Sequence, residues 1–403
     1  MEIRIEKIVH GGDGMGYASD GRPVFVPLTA PGEWVRIETG KARKGFLRGR
    51  LIEVIEPSVD RVTPRCPHFG ECGGCQLQHL SYAAQVKAKE AVLREQLRRL
   101  GGITDAPIRP VMPSPAAWNY RNHIQCAPAG GRLGFHRPAS KAVLPVTECH
   151  LPEKRLLELW ESLDWETFPG LRQIAFRAAG DSGMIVLEGG SGEPPEVNVA
   201  SSASVAWIDA EGGIVSLAGG SLRYSILGRE FTVSAGSFFQ VNTGLIPAMI
   251  ETVMAMADPA PDETVLDVYC GTGLFSVFLA ERAKRVMGIE ESPSASADFE
   301  QNLDSFDGVE LYSAPAEQAL AAIAAPPAIA VVDPPRSGLG ARAMRGLLGL
   351  EVPRIVMASC DMATLARDAR ILAGAGYRLT DLAPIDMFPQ TSHLETVGRW
   401  IRE

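Results

Sequence analysis

Val265-Leu266-Asp267-Val268-Tyr269-Cys270-Gly271-Thr272-Gly273-Leu274-Phe275 reads as an apolar strand, a glycine turn and the first residues of a helix. Further on, Arg285-Val286-Met287-Gly288-Ile289-Glu290 is a second strand that closes on a carboxylate. Strand, glycine turn, helix and strand form the opening unit of an open parallel sheet. Gly271 and Gly273 let the backbone approach a ligand there, and Glu290 is placed to accept hydrogen bonds from ribose hydroxyls. Two more buried strands follow, Ile329 to Asp333 and Ile355 to Ser359, the first leading into Pro334-Pro335-Arg336 and the second into Cys360-Asp361. Ligands of such sheets sit at the carboxyl ends of the strands, so Asp333 and Cys360 are expected to face one pocket.

The turn lacks the third glycine of the dinucleotide fingerprint, and Asp267 precedes it. The Asp-x-x-x-Gly-x-Gly form is similar to the S-adenosyl-L-methionine version of this fold, in which there is no pyrophosphate to cradle. Ser237-Phe238-Phe239-Gln240-Val241-Asn242 leads into a predicted helix over about 243–256 just before it. Cys360 stands near the start of a predicted amphipathic helix from Thr364 to Leu372. A helix amino terminus stabilises a thiolate, which predicts a reactive sulfur with a lowered pKa. In His393-Leu394-Glu395-Thr396-Val397 a carboxylate sits between aliphatic strand positions. Glu395 is therefore either exposed on an alternating strand or buried for chemistry.

Residues 1–58 alternate in the manner of short strands, with turns at Gly11-Gly12-Asp13-Gly14 and Pro31-Gly32, and predict a small β-barrel. Its pattern resembles the TRAM domain, a relative of the oligonucleotide-binding barrels. Three thiols follow within ten residues, Cys66, Cys72 and Cys75, and Cys149 is the natural fourth. Such a set suits zinc or an iron–sulfur cluster; three plus one, rather than two paired knuckles, favours a [4Fe-4S] cluster. Ser81 to Leu100 predicts a long helix with Lys87, Lys89, Arg94, Arg98 and Arg99 on a solvated face. Gly134–His136, Gln173–Phe176 and Met184–Leu187 predict a β-rich centre, and Ser191–Pro195 a loop.

The net charge of −9 argues against nucleic acid as a partner, but its distribution argues for one. No acidic residue falls between Asp105 and Glu148, where Arg109, Arg121, Arg132, Arg137 and Lys141 lie, and Lys41 to Arg50 is charged only by cations. Trp118-Asn119-Tyr120-Arg121-Asn122-His123 mixes the rings and cations used in base stacking and phosphate contact. Arg121 and Arg132 are thus expected to hold RNA. Met1 to Glu6 alternates charge with aliphatic residues, unlike a secretory signal, and no apolar run has membrane-helix length, so a cytoplasmic protein with no membrane contact is expected. Seven cysteines in a reducing compartment favour metal binding or catalysis over disulfides. Assembly is unspecified, and a monomer is expected.

An adenosylmethionine pocket, a thiol at a strand end and a late carboxylate answer one chemical problem. Carbon 5 of uracil takes a methyl group only after a thiolate adds at carbon 6, and a base must then remove the carbon-5 proton. In combination, Cys-x5-Cys-x2-Cys with Cys149, Phe-Gln-Val-Asn, Asp-Pro-Pro-Arg, Ser-Cys-Asp and His-Leu-Glu-Thr-Val resemble the RNA 5-methyluridine methyltransferase family acting on 23S ribosomal RNA and transfer RNA. The resemblance implies an α/β multidomain chain. It comprises a TRAM-like barrel (1–58), a central β-rich iron–sulfur and RNA-binding domain (59–230) and a Rossmann-like class I methyltransferase domain (231–403). The helix at 81–101 is then expected to pack on the catalytic domain.

By the same resemblance Cys66, Cys72, Cys75 and Cys149 hold a [4Fe-4S] cluster. Gln240, Tyr269, Gly271, Gly273, Glu290 and Asp333 meet S-adenosyl-L-methionine, Cys360 is the nucleophile and Glu395 the base. Leu274 departs from the polar residue that relatives often carry beside the cofactor. The implied partner is RNA, with 23S ribosomal RNA preferred and transfer RNA second. Cytosine-5 methylation would more naturally show a Pro-Cys nucleophile, and amino-group methylation an aromatic after Asp-Pro-Pro; neither is present. A non-catalytic RNA-binding iron–sulfur protein would have no use for the intact Cys360, Glu395, Gly271 and Glu290.

Overall fold

Ile3 and Ile5 point inward from β1 (Glu2–Ile8) while its glutamates face solvent, and four more short strands follow. In the computed structural model, which describes residues 1–40, 45–163, 170–189, 194 and 203–403, these strands close into a barrel. They are β1, β2 (Gly14–Tyr17), β3 (Pro23–Val26), β4 (Trp34–Thr39) and β5 (Leu47–Glu56), around Ile5, Val24, Val26 and Val35. Gly16 is required by the close crossing of β1, because a Cβ there would lie 2.1 Å from the Arg4 carbonyl oxygen. Of the basic stretch 41–50, residues 41–44 lie outside the described residues. Arg50 pairs with Glu38 at 2.6 Å and Arg48 lies 3.6 Å from Asp13, so its strand portion is partly neutralised.

α1 (Tyr82–Gln96) is capped by Ser81, whose Oγ accepts the Ala84 N–H, and continues through a π-helical turn at Leu97–Gly101. It rests on the catalytic half of the chain: Leu93 and Leu97 share a core with Ala366, Ala369 and Leu382 and with Ile8 of the barrel. Lys89, placed by its spacing on a solvated face, is instead buried. It stands on the same buried stripe as Ala84, Gln85, Val92 and Leu93, while Lys87 and Arg94 on the opposite face are exposed.

The centre is a seven-stranded sheet in the order β12-β11-β10-β9-β6-β7-β8. Its strands are β6 (His123–Ala129), β7 (Arg132–His136), β8 (Val143–Pro145), β9 (Gln173–Ala179), β10 (Ser182–Glu188), β11 (Ser204–Ile208) and β12 (Ile214–Ala218). α2 (Lys154–Ser162) covers one face with Leu156 and Leu159, while Ala175, Met184 and Val186 on the other face join the catalytic core. The predicted loop at Ser191–Pro195 lies outside the described residues except for Pro194. A hairpin, β13 (Leu222–Ile226) and β14 (Arg229–Val233), runs across position 230, so the passage between domains is a paired unit rather than a point.

The last part alternates helices and strands: α3 (Ile246–Ala257), β15 (Thr264–Val268), α4 (Leu274–Ala280), β16 (Arg285–Glu290), α5 (Pro293–Asn302), β17 (Val309–Ser313), α6 (Ala316–Ala322), β18 (Ile329–Val332), α7 (Gly340–Gly349), β19 (Arg354–Ser359), α8 (Met362–Gly374), β20 (Tyr377–Ile385) and β21 (Glu395–Arg402). The sheet runs β17-β16-β15-β18-β19-β21-β20, parallel except for β21, which is antiparallel to both neighbours. Near-continuous apolar runs at β15, β18 and β19 fit strands covered on both faces. The order reverses between β15 and β18, and ligands of open sheets bind at that point, beyond the carboxyl ends. Among the described residues no helix is long and apolar enough to cross a membrane.

Candidate active site

Strand direction gathers the chemistry on one edge. Tyr269 follows β15, Glu290 ends β16, Asp333 follows β18 and Cys360 follows β19. Because β21 runs the other way, its first residue, Glu395, returns to the same edge. The pairing of Ser359 with Thr396 sets Cys360 and Glu395 side by side in register, and Thr396 Oγ1 donates to the Ser359 carbonyl at 3.0 Å. Glu395 is 3% exposed. That settles the ambiguity of its sequence position in favour of the buried alternative.

The glycine turn is built around Glu290. Its Oε2 accepts the Gly271 N–H at 3.0 Å and its Oε1 the Ser292 N–H at 2.8 Å. Tyr269 has φ 64° without being glycine, a left-handed conformation that costs free energy and clusters at ligand sites. Its hydroxyl donates to the Leu339 carbonyl at 3.3 Å. Gly271 and Gly273 both have positive φ but differ in surroundings. A Cβ on Gly273 would meet Leu303 Cδ1 at 2.4 Å, whereas one on Gly271 would meet nothing within 4 Å. Leu274 is buried in the core rather than offered to a ligand. Gln240 Nε2 donates to Asp333 Oδ2 at 3.4 Å, which joins the Phe-Gln-Val-Asn segment to the sheet edge.

The electrostatics of this edge are acidic. Burial pushes Asp333 up to about 7. Asp267, bonded by Ser276 Oγ at 2.6 Å, is raised to about 7 by burial and by Asp333 and Glu290 beyond it. Glu395 lies well above the usual carboxyl range through burial and the nearby Asp333. Cys360 is pushed up to about 12 by burial first and then by Glu395, with Arg336 opposing. The lowered pKa expected from a helix start is thus overturned: the amino end of α8 is already capped by Asp361, whose Oδ1 accepts the Ala363 and Thr364 N–H groups. Asp361 Oδ2 also lies 3.4 Å from His10 of the barrel, which brings the N-terminal unit to the rim of the site.

Cys66, Cys72, Cys75 and Cys149 line one cavity of about 490 Å³, together with Arg121 and His123. All four are free thiols, and burial raises Cys75 to about 12 and Cys149 to about 11. Among the described residues no three His, Cys, Asp or Glu side chains converge on a single metal-ion position. Arg121 does not offer its charge to a surface strand of RNA. It is half-buried against this cavity, with its buried Nε lacking a partner, and its charge faces Tyr120 first and then Cys75 and Cys149. His123 is likewise enclosed and held neutral, lowered to about 3 by burial and by Arg177 and Arg121. Arg109 and Arg137 pair with Asp381 and Glu71, which leaves Arg132 and Lys141 as the exposed cations of the acid-free segment without an ion pair among the described residues.

Sequence reasoning passed over Asp386 and Gln390 and put Lys89 on a solvated face; the structure buries all three, with Lys89 bonded to Asp386 and Gln390 to Gln85.

A parallel sheet of this order, with a glycine turn, a carboxylate ending its second strand and an acidic strand edge, defines a methyltransferase fold. The TRAM domain family matches residues 1–52, and the family described as tRNA (Uracil-5-)-methyltransferase matches residues 222–326 and 327–402. A protein of Halalkalibacterium halodurans described as an uncharacterized RNA methyltransferase is 34% identical over 441 residues, covering 99% of this chain and 96% of its own. One of Streptomyces avermitilis with the same description is 33% identical over 420 residues, covering 98% and 97%. The crystal structure of Pyrococcus abyssi tRNA (uracil-54, C5)-methyltransferase in complex with S-adenosyl-L-homocysteine superposes with a TM-score of 0.75 at 24% identity, covering 100% of both chains, a likeness of fold. The chain belongs to the RNA (uracil-5-)-methyltransferase family and carries its TRAM domain.

The two turn glycines separate packing from ligand approach. Gly273→Ala is expected to lower the thermal midpoint by several degrees through overpacking against Leu303. Gly271→Ala is expected to weaken S-adenosyl-L-homocysteine roughly tenfold, with a smaller thermal effect. Parallel thermal unfolding and ligand titration check the contrast.

Proposed function

We infer that the protein methylates carbon 5 of a uridine in RNA through a covalent adduct between Cys360 and ring carbon 6. The observation that carries this is the register placing Cys360, Glu395 and Asp333 together at the sheet edge, with Glu395 buried and Cys360 and Asp333 half-buried. Bound S-adenosyl-L-methionine supplies an electrophilic methyl on a cationic sulfur. Gln240, Tyr269, Gly271, Glu290 and Asp333 hold it, with Gly273 closing the turn against Leu303, and the excess of acid over cation suits a positively charged ligand.

Cys360, after its thiol has given up its proton to solvent, bonds as thiolate to carbon 6, and the ring π electrons move onto the carbon-4 oxygen as an enolate. Carbon 5 of that enolate takes the methyl, and the donor sulfur keeps the electron pair of the broken bond. Glu395, as carboxylate, removes the carbon-5 proton; the released pair re-forms the ring double bond and expels Cys360 as thiolate. The target base must leave its stack to enter so enclosed a site, at a cost of a few kcal/mol. Arg132 and Lys141, with the barrel, hold the flanking RNA. We assign a uridine of 23S ribosomal RNA as the substrate, on the likeness of the barrel-and-thiol architecture to that branch. A transfer RNA uridine is the second reading, favoured by the description of the matched family.

The four thiols fit a [4Fe-4S] cluster better than a single zinc ion. The three-plus-one spacing, rather than two paired knuckles, is what favours the cluster, and the four sulfurs line one cavity. A cluster held by four thiolates is anionic, and the half-buried Arg121 supplies an opposing charge. Cys66, Cys72, Cys75 and Cys149 would hold it in a structural role, in a chain that works as a monomer.

Cys360→Ala is expected to abolish methyl transfer to bulk RNA while S-adenosyl-L-homocysteine binds within about twofold of the parent; transfer at the parental rate would sink the proposal. Separate assays on 23S ribosomal and transfer RNA decide between the two substrates. Protein isolated without oxygen is expected to contain iron and sulfide in equal amounts, and Cys75→Ser to lose both. Stoichiometric zinc would refute the cluster.

A further inference from the structure

Lys89 takes no part in the steps above, yet its side chain is 1% exposed. Its ammonium donates to Asp386 Oδ1 at 2.6 Å and to the Phe388 carbonyl at 3.0 Å, across 297 residues of chain. An ion pair so deeply buried is a poor source of stability, because desolvating two charges offsets most of their attraction, and apolar replacements of similar volume are often as stable. Its better-attested use is to fix one arrangement among several.

What it fixes is visible in the hairpin. Asp386 directly follows Ile385, and Ile385 is the partner of Glu395 in the last pair before the β20–β21 loop. One turn earlier on α1, Gln85 holds the far part of that loop. Its Nε2 donates to Gln390 Oε1 at 2.9 Å, and its Oε1 accepts the Gln390 N–H at 2.9 Å. Gln390 has φ 70°, a conformation that needs such outside support. Glu395 Oε1 is buried without a hydrogen-bond partner, so the carboxyl depends on the backbone beneath it for its position.

We propose that the Lys89–Asp386 pair is a positioning device for Glu395, locking the closing end of the hairpin so that the carboxyl stays within reach of the proton it removes. This rests on the assignment of Glu395 as the base. Losing the lock slows proton removal and leaves methyl transfer itself able to proceed, so methylated RNA remains bonded to Cys360.

The test compares Lys89→Met, the double variant Lys89→Met/Asp386→Leu and Glu395→Gln. It uses RNA carrying the uridine and measures turnover, S-adenosyl-L-homocysteine affinity and the fraction of enzyme that migrates as an RNA adduct on denaturing gels. The double variant leaves no unpaired buried charge, and it keeps the test valid where the single change fails to fold. Expected are cofactor affinity within about twofold of the parent, turnover lowered by roughly 10- to 100-fold, and a several-fold excess of methylated adduct resembling that of Glu395→Gln. A folded double variant with parental turnover and no excess adduct overturns the proposal, as does lost turnover with no adduct. Absence of adduct in Glu395→Gln would instead remove the assignment of the base, and the proposal with it.

Discussion

Asp333, Glu395 and Cys360 share one sheet edge, Glu395 buried and the other two half-buried, with Asp267 buried beneath them, and Arg336 is the cation facing the thiol and Glu395. Acids so placed hold their protons more tightly than in water, and each additional one raises the others. The arrangement is costly to the ligand-free fold and makes sense only with a cation nearby. Strand order produces it: three parallel strands and one antiparallel strand deliver their acids to the same edge, two of them flanking the point where the sheet order reverses.

The rest of the chain serves to close that edge. α1 lies behind the catalytic sheet, and two of its polar residues, Gln85 and Lys89, reach the β20–β21 loop rather than solvent. His10 of the barrel comes within 3.4 Å of the residue after Cys360, and the central sheet shares a core with α3 and α4. An RNA bound along barrel and centre is therefore held by elements that touch the catalytic rim. The exposed Phe238, at 62%, stands two residues from Gln240 on the segment bridging these units.

Legibility followed the physics of each residue. The parallel strands were plain because strands covered on both faces are apolar throughout, and the turn because Gly271 and Gly273 must adopt positive φ. Glu395 stayed ambiguous, since alternation cannot tell solvent from a polar cavity. Lys89 and Arg121 were misplaced for one reason: a cation in a local pattern looks solvated, and its partners, Asp386 in one case and thiols in the other, lie far along the chain. The sign of the Cys360 shift was missed because a helix start was credited without the aspartate that caps it or the carboxylates across the sheet.

Proton release on ligand binding examines the acidic edge most directly. With Asp333 and Asp267 near 7, a cation drawn in beside them lowers their pKa values and expels protons at neutral pH, whereas a neutral sulfur does so far less. Calorimetry at pH 7 in buffers of different ionisation enthalpy should therefore show more protons released by S-adenosyl-L-methionine than by S-adenosyl-L-homocysteine. Equal release by the two would contradict an acid-rich site poised for a sulfonium.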